Sequence, residues 1–140
     1  MGKINFGRVL LGGLVAGIVL NIGEYILNDK VFGAQMKEYF TRHNFPTPGG
    51  NAIAVAVVMV FVLGIVIVLG YAAIRPRFGP GPKTAIIAAL FAWFGVYVYN
   101  NIIGAAFGFV PTNMLPIALV WGLVEYVLAA MIGAWLYKEA

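Results

Sequence analysis

Apolar residues fill four long segments of this chain, and short polar segments separate them. The apolar segments cover about residues 9–27, 51–74, 84–107 and 115–137. A helix needs about 20 mostly apolar residues to cross the hydrocarbon core of a bilayer. None of the segments shows the alternation of a membrane-barrel strand. The pattern predicts an all-α, polytopic membrane protein, an antiparallel bundle of four transmembrane helices that forms one domain over residues 1–140.

The polar segments predict how the spans are connected. Residues 31–42 mix apolar and polar side chains as a short amphipathic helix in the membrane interface does, and residues 43–50 contain two prolines and two glycines, which predicts an ordered turn. Residues 75–83 form a tight, proline-rich connection that makes the second and third spans antiparallel neighbours. We expect Asn113 to cap the fourth helix and Pro116 to lie in its first turn.

The distribution of Lys and Arg predicts the orientation, because cytoplasmic connections carry an excess of these residues. Six of the 9 lie on the side that holds both chain termini, so both termini are expected in the cytoplasm. The six are Lys3, Arg8, Arg75, Arg77, Lys83 and Lys138. We attribute the net charge of +4 to contact with anionic lipid headgroups and not with nucleic acid.

Two glutamates lie inside apolar segments of a chain in which 10% of the residues are charged. A carboxylate in hydrocarbon is costly unless it is paired, neutralised or hydrated, so Glu24 and Glu125 are candidates for function. Each lies on a helix face of small or polar residues, whose spacings of three and four place them together. The first face carries Gly13, Gly17, Asn21, Glu24 and Asn28; the second carries Ala118, Gly122, Glu125, Ala129 and Gly133.

The helical rise of about 1.5 Å per residue predicts the depth of these polar groups. Glu24 is expected roughly 10 Å to the outer side of the midplane, and Glu125 close to the midplane. Asn100 and Asn101 of the third span fall roughly 9–10 Å outward, and we expect one of them to share an outer layer with Asn21 and Glu24. We expect a polar recess that opens outward, in which the asparagines make hydrogen bonds between helices.

Glu125 has no Lys or Arg partner within the spans, so we expect it to be protonated and to donate a hydrogen bond. Asn21 or a main-chain carbonyl is the expected acceptor. On this interpretation Glu125→Gln is nearly neutral for assembly and Glu125→Leu is costly. The carboxyls either stabilise the helix assembly in this way or handle a proton, a cation or another ligand; the sequence leaves both alternatives open.

The chain shows no catalytic pattern. Ser and Cys are absent, and His43 is the single histidine. Pro82 has no N–H to offer a phosphate, which argues against a phosphate-binding loop at residues 79–84. We therefore expect no enzymatic activity, no metal site and no obligatory cofactor.

The second and third spans differ in their side chains. The second is almost entirely Val, Ile, Leu and Ala, and is expected to face lipid or a partner. The third is aromatic around residues 91–99, which leaves a lipid, quinone or pigment site as an alternative.

The stretch from Tyr71 to Thr84 (YAAIRPRFGPGPKT), with the motifs Asn21-x-x-Glu24 and Trp121-Gly-x-x-Glu125, resembles a family of uncharacterised, small four-helix bacterial integral membrane proteins. The resemblance implies a four-helix topology and a location in the bacterial inner membrane. It implies no known activity and no role for either glutamate.

The sequence favours a non-enzymatic accessory or scaffold subunit of a larger membrane complex. Its expected partners are membrane lipids and either other membrane subunits or copies of itself. The first alternative is a small oligomeric transporter or channel that uses Glu24 and Glu125. The second is a protein that binds a hydrophobic cofactor.

Overall fold

The computed structural model describes residues 2–140, which form an all-helical fold with four helical segments long and apolar enough to cross a membrane. These segments are Phe6–Val31, Gly50–Phe78, Pro82–Ala106 and Thr112–Leu136. At most of their ends, these segments extend a few residues beyond the predicted spans. The fold is consistent with the predicted four-helix bundle, and the chain is a multi-pass membrane protein by this criterion.

The first span begins at a capped N-terminus. Helix α1 (Phe6–Tyr25) follows Asn5, whose side-chain oxygen accepts a hydrogen bond from the Arg8 N–H at 3.1 Å. The span then continues as a π-helical segment, Ile26–Val31. Helix α2 (Gly33–Arg42) follows in the connection where the sequence predicts a short amphipathic helix, and it buries none of its residues completely.

Helix α3 (Gly50–Phe78) is longer than predicted, because residues 75–78, assigned to a connection from the sequence, continue the helix. Pro76 lies inside the last turn of this helix, where it has no main-chain N–H to donate, and the helix ends two residues later at Phe78. The turn is made by glycines: Gly79 has a φ of 83° and Gly81 a φ of 119°, values that favour glycine. Pro82 then occupies the start of helix α4 (Pro82–Ala92).

The third span is interrupted. Helix α4 is followed by a π-helical segment, Trp93–Val98, and then by helix α5 (Tyr99–Ala106). Such wide turns are rare overall, but a large share of them occur at functional sites. The hydropathy pattern does not predict this one.

The fourth span starts with a 3₁₀ turn, Thr112–Met114, before helix α6 (Leu115–Leu136). Pro116 lies in the first turn of α6 as predicted, but the predicted capping by Asn113 is wrong. Met114 holds the cap position, and the Asn113 side-chain oxygen instead accepts a hydrogen bond from Gln35 of α2 at 3.2 Å.

The bundle has two ends. The chain termini meet at one end, where the Ala140 N–H donates to the Lys3 carbonyl at 3.3 Å and Arg75 pairs with Glu139 at 2.8 Å. We call the part of the bundle next to the termini and the turn 79–81 the closed half. We call the part next to α2 the open half; it contains residues 21–31, 50–60, 99–106 and 115–122.

Glycines bring the helices of the closed half together. A Cβ on Gly64 of α3 would collide with the Gly13 carbonyl oxygen of α1, and a Cβ on Gly12 of α1 would lie 2.5 Å from the Gly133 carbonyl oxygen of α6. Helix α1 therefore uses one glycine face against α3 and another against α6. The second span is thus only partly exposed as predicted, since its buried face includes Gly64 and Val68.

The open half is packed much less tightly. Every fully buried residue of α3 lies at position 64 or beyond, and α5 has none. Helix α4 contacts both α3 and α6, whereas α5 contacts α6 and makes no extensive contact with α1 or α3. The second and third spans therefore diverge towards the α2 end.

Candidate functional site

Glu125 lies on the buried face of α6, as its spacing predicts. Ala118, Gly122, Ala129 and Gly133 of the same face are all buried. The Glu125 side chain is 5% exposed, and the only other fully buried polar side chain among residues 2–140 is Thr84. Thr84 has an obvious structural role, since its hydroxyl donates to the Gly79 carbonyl at 2.6 Å. Glu125 has no comparable partner.

The two glutamates meet across the α1/α6 interface. The carboxyl of Glu24 neighbours that of Glu125. Glu125 also packs on the main chain beside Glu24, where a Cβ on Gly23 would lie 2.6 Å from its Oε2 atom. Helical side chains lean towards the N-terminus of their own helix. Because α1 and α6 are antiparallel, the two glutamates lean towards each other, which closes the depth difference estimated from the sequence.

Neither carboxyl oxygen of Glu125 receives a hydrogen bond from an N–H or hydroxyl group within residues 2–140. The Trp121 indole N–H lies beside this carboxyl but donates to the Gly23 carbonyl at 3.2 Å. Asn21, one of the acceptors predicted for Glu125, donates instead to the Gly17 carbonyl at 2.9 Å and to the Val57 carbonyl at 3.4 Å. The neighbour with which Glu125 can share a proton is therefore Glu24.

Two tyrosines complete the surroundings of the carboxyl pair. Tyr97 comes from the π-helical segment of the third span and Tyr126 from α6, and their ring centroids are 5.5 Å apart in an edge-to-face arrangement. Both rings are buried, and both tyrosines interact with Glu24 and Glu125. Gly122 makes room for this packing, since its Cβ would lie 2.6 Å from the Tyr97 ring.

The structure places the other predicted polar residues differently. Asn100 donates to the Val96 carbonyl at 2.7 Å and Asn101 to the Tyr97 carbonyl at 2.8 Å, so both side chains bond within their own helix. The prediction that they form hydrogen bonds between helices is wrong, because α5 diverges from α1 and α3. Asn28 does join the site, since its side-chain amide donates to Glu24 Oε2 at 2.9 Å.

The glycines predicted to pack helices do not all contact the same helix. Gly13 and Gly17 lie against Ile65 and Phe61 of α3, Gly122 against Tyr97, and Gly133 against Val68 and Gly12. The sequence pattern does not indicate the packing roles of Gly12, Gly23 and Gly64, although Gly12 and Gly13 are adjacent. A pair of neighbouring glycines on one helix signals two different packing faces.

No Lys or Arg of residues 2–140 forms an ion pair with either glutamate. Lys30 pairs with Asp29 at 2.9 Å, and the other Lys and Arg residues of the spans lie in end turns at the closed half. Two adjacent carboxylates repel each other, and Glu125 is buried without a donor, so both are not charged at once unless a cation lies beside them. The pair therefore holds a proton, or it holds a cation in its place.

Two cavities reach the pair from opposite sides of α1. The first, which we call the α2 cleft, has a volume of about 600 Å³ and is lined by Asn21, Glu24, Asn28, Met36 and Phe40 with the start of α3. The second, the α1/α6 groove, has a volume of about 680 Å³. Its lining includes Val19, Ile22, Val120, Trp121, Val124 and Glu125.

Residues 2–140 contain no cluster of three or more His, Cys, Asp or Glu side chains that would hold a metal ion. Zinc and related ions need three or four protein ligands. A pair of glutamates in apolar surroundings is chemically suited to a proton or to one positive charge.

Comparisons with known proteins give no relative from which a function transfers. No protein-family model matches the chain, and no curated protein and no solved structure is significantly similar to it. The resemblance to small bacterial four-helix proteins therefore stays a prediction, and the function has to be argued from the site.

Proposed function

We propose that this protein is a small membrane transporter or channel subunit whose working groups are Glu24 and Glu125, and that the pair exchanges a proton for a cation. The observation that carries the proposal is the state of Glu125. Its side chain is 5% exposed, and neither oxygen has a hydrogen-bond donor within residues 2–140. A buried polar group without a partner is destabilising, so its presence points to a ligand that binds there.

The alternative of a purely structural carboxyl is weaker on the same evidence. A glutamate that serves helix assembly would donate to, or accept from, a group on a neighbouring helix. Trp93 and Trp121 make hydrogen bonds of this kind between helices, because their indole N–H groups donate to the carbonyls of Leu119 and Gly23 at 3.0 Å and 3.2 Å. Glu125 faces Glu24, which is a poor partner for a structural contact and a good one for a shared proton.

The proposal includes self-association. Four spans are few for a protein that moves a solute alone, and the open half lacks a wall where the second and third spans diverge. A second copy related by a twofold axis is an economical way to complete such a site. On this proposal the protein is not an enzyme and lies in a bacterial inner membrane, with the Lys- and Arg-rich end in the cytoplasm.

The test measures proton and potassium flux in liposomes that contain the purified protein. We expect a flux that the Glu24→Gln/Glu125→Gln double variant abolishes. Glu38→Gln is the matched control, because Glu38 is an exposed carboxyl on α2 that pairs with Arg42 and lies outside the carboxyl pair. Equal flux in the wild type and the double variant would remove the carboxyls from the mechanism.

An accessory subunit of a larger complex is the second candidate. The observation that favours it is an apolar face of α3 in the open half, where Val55, Val58 and Met59 are all more than half exposed. A bilayer covers such a surface equally well, so this candidate ranks behind the first. Native mass measurement after extraction in mild detergent tests it, and a monomer or a pure homo-oligomer in every detergent would count against it.

The binding of a quinone or pigment stays a prediction with less support. The aromatic residues of the third span divide between two places. Phe91, Trp93 and Phe94 line a cavity of about 440 Å³ on the outside of the bundle, where Phe91 and Phe94 are 72% and 63% exposed, whereas Tyr97 faces the carboxyl pair. Extraction of the purified protein for stoichiometric lipid-soluble compounds is the direct check.

A further inference from the structure

We propose that the cation bound at this site is a lipophilic organic monocation, which enters from the bilayer through the α1/α6 groove and places its positive group at Glu125. The inference deepens the proposed function by naming a class of ligand for the same carboxyl pair. It rests on the shape, the lining and the exposure of the groove.

The groove suits an apolar molecule of moderate size. Apart from Glu125, its lining is almost entirely hydrocarbon and one indole ring, contributed by Val19, Ile22, Trp121 and Leu128 among others. Its volume of about 680 Å³ falls in the range of sites for drug-sized ligands, about 300–1,000 Å³. A hydrated metal or alkali ion would leave most of this apolar surface unused.

The groove also faces the lipid. Ile22, Val120 and Val124 line it and are each more than half exposed on the bundle surface, at the level of the spans. A molecule dissolved in the bilayer therefore reaches Glu125 without crossing a helix or an aqueous loop.

Charge complementarity selects a cation as the occupant. Glu125 is the ionisable group of the groove, and no Lys or Arg lines it. The titratable groups that face Glu125 are Glu24 from α1, Tyr97 from the third span and Tyr126 from α6 itself. None of them carries a positive charge, so a bound anion would be repelled. The indole ring of Trp121 in the wall adds a face on which a cation is stabilised.

Binding of a permanently charged cation displaces a proton from the pair. With one shared proton the pair carries a charge of −1. When that proton dissociates both groups are carboxylates, and the bound monocation returns the charge of the site to −1. The α2 cleft is the exit, because Glu24 and Asn28 line it and Asn28 lies at the α2 end of the bundle. One proton is released for each cation bound, and acid weakens binding by competition.

The experiment uses the full chain in nanodiscs of zwitterionic lipid, with tetraphenylphosphonium as the probe. Tetraphenylborate, which has the same size and the opposite charge, is the control for partition into the lipid. We expect tetraphenylphosphonium to bind saturably and tetraphenylborate not to do so. Each bound cation should release one proton into a weakly buffered solution. Glu125→Gln should weaken binding at least tenfold and abolish the proton release.

Val120→Phe tests the route without touching the carboxyls. Val120 is 63% exposed and lines the groove, so a larger ring there fills the groove while the fold has room to accept it. The matched control is Val58→Phe on α3, at a position that is 59% exposed and lines neither cavity. We expect at least fivefold weaker binding for Val120→Phe and no change for Val58→Phe. This pair also decides the question if Glu125→Gln fails to fold.

The outcomes separate this inference from the proposed function. Carboxyl-dependent proton or potassium flux without saturable tetraphenylphosphonium binding would overturn the inference and leave the function intact. Saturable binding that requires Glu125, without carboxyl-dependent proton flux in liposomes even when tetraphenylphosphonium is added on one side, would uphold the inference and overturn the transport role. Equal binding of the cation and the borate, or equal effects of the two Phe variants, would also overturn it.

Discussion

The closed and open halves of this bundle are built from the same four spans but are stabilised in different ways. In the closed half, main chains touch at glycines: Gly64 lies against Gly13, and Gly12 against Gly133. In the open half, α5 has no fully buried residue, and α3 has none before position 64. One half is a close-packed scaffold, and the other leaves space around polar groups.

The carboxyl pair lies where these two halves join, and its location explains its chemistry. Gly23 and Gly122 still allow close packing at this level, which buries Glu125 and holds Tyr97 against α6. Beyond it the helices separate, and the α2 cleft reaches Glu24. A site at this junction is rigid on one side and accessible on the other, which is the arrangement a binding site needs.

Gly64→Ala is the strongest test of whether close contact between main chains stabilises the closed half. A Cβ at this position would collide with the Gly13 carbonyl oxygen and with the main chain at Gly17, which cannot move aside as a flexible side chain does. We expect a loss of about 3 kcal/mol in the free energy of unfolding, or no folded protein. Thermal or denaturant unfolding in detergent provides the measurement.

Gly70→Ala on the same helix is the control, because a Cβ there meets nothing within 4 Å. Alanine favours a helix over glycine by about 1 kcal/mol, so this variant should be neutral or slightly stabilised. Equal destabilisation by the two variants would mean that the closed half does not depend on contact between main chains.

Glu125→Leu should separate stability from function at the junction. The sequence alone predicts a cost, because it assigns Glu125 a hydrogen bond to a neighbouring helix. The structure reverses this expectation: neither oxygen receives a hydrogen bond from an N–H or hydroxyl group within residues 2–140, so an apolar side chain of similar volume loses only the proton shared with Glu24. Replacing a buried carboxyl by an apolar side chain removes the cost of its desolvation, so we expect this variant to be neutral or stabilised by about 1 kcal/mol.

The same variant should lose all carboxyl-dependent flux. Unfolding in detergent and flux in liposomes, measured on one preparation, give both readouts. A variant that is less stable by more than about 2 kcal/mol would show that Glu125 makes a structural bond after all.

The sequence predicts the scaffold well because hydropathy and helical periodicity decide it. The four spans, the position of α2 and the buried face of Glu125 all follow from the spacing of apolar and small residues. The sequence does not predict the end of α3, because the pattern around Pro76 fits both the last turn of a helix and a loop.

The site was only half predictable. Glu24 and Glu125 were identified singly, but their contact depends on the antiparallel lean of two side chains and on Gly23, which are features of the packed structure. Tyr97 turns inward through the π-helical segment Trp93–Val98, which shifts the register of the third span. No periodicity argument based on an α-helix places Tyr97 correctly.

The shared proton predicts a spectroscopic difference between the carboxyl pair at the junction of the halves and an exposed glutamate of α2. Infrared difference spectra of wild type against Glu125→Gln should show the band of a protonated carboxyl at neutral pH, because the pair in its apolar setting does not hold two charges. The exposed Glu38, paired with Arg42, is the internal contrast, and Glu38→Gln should change only carboxylate bands. A spectrum in which Glu125→Gln removes carboxylate bands alone would show that a cation and not a proton occupies the pair.

The smallest expected effect concerns the attachment of α2 over the open half. The Tyr39 hydroxyl donates to the Gly108 carbonyl, and Gln35 donates to Asn113 at 3.2 Å, so α2 is tied to the connection between α5 and α6. Both bonds are exposed, and each is worth about 1 kcal/mol at most. Tyr39→Phe together with Gln35→Leu should leave global unfolding almost unchanged and raise hydrogen exchange in α2 several-fold. Exchange measured by mass spectrometry should rise in residues 33–42 and not in the closed half, where Val68 and Ala89 are fully buried. A rise spread evenly over both halves would mean that α2 supports the whole bundle, and that the two halves are not independent.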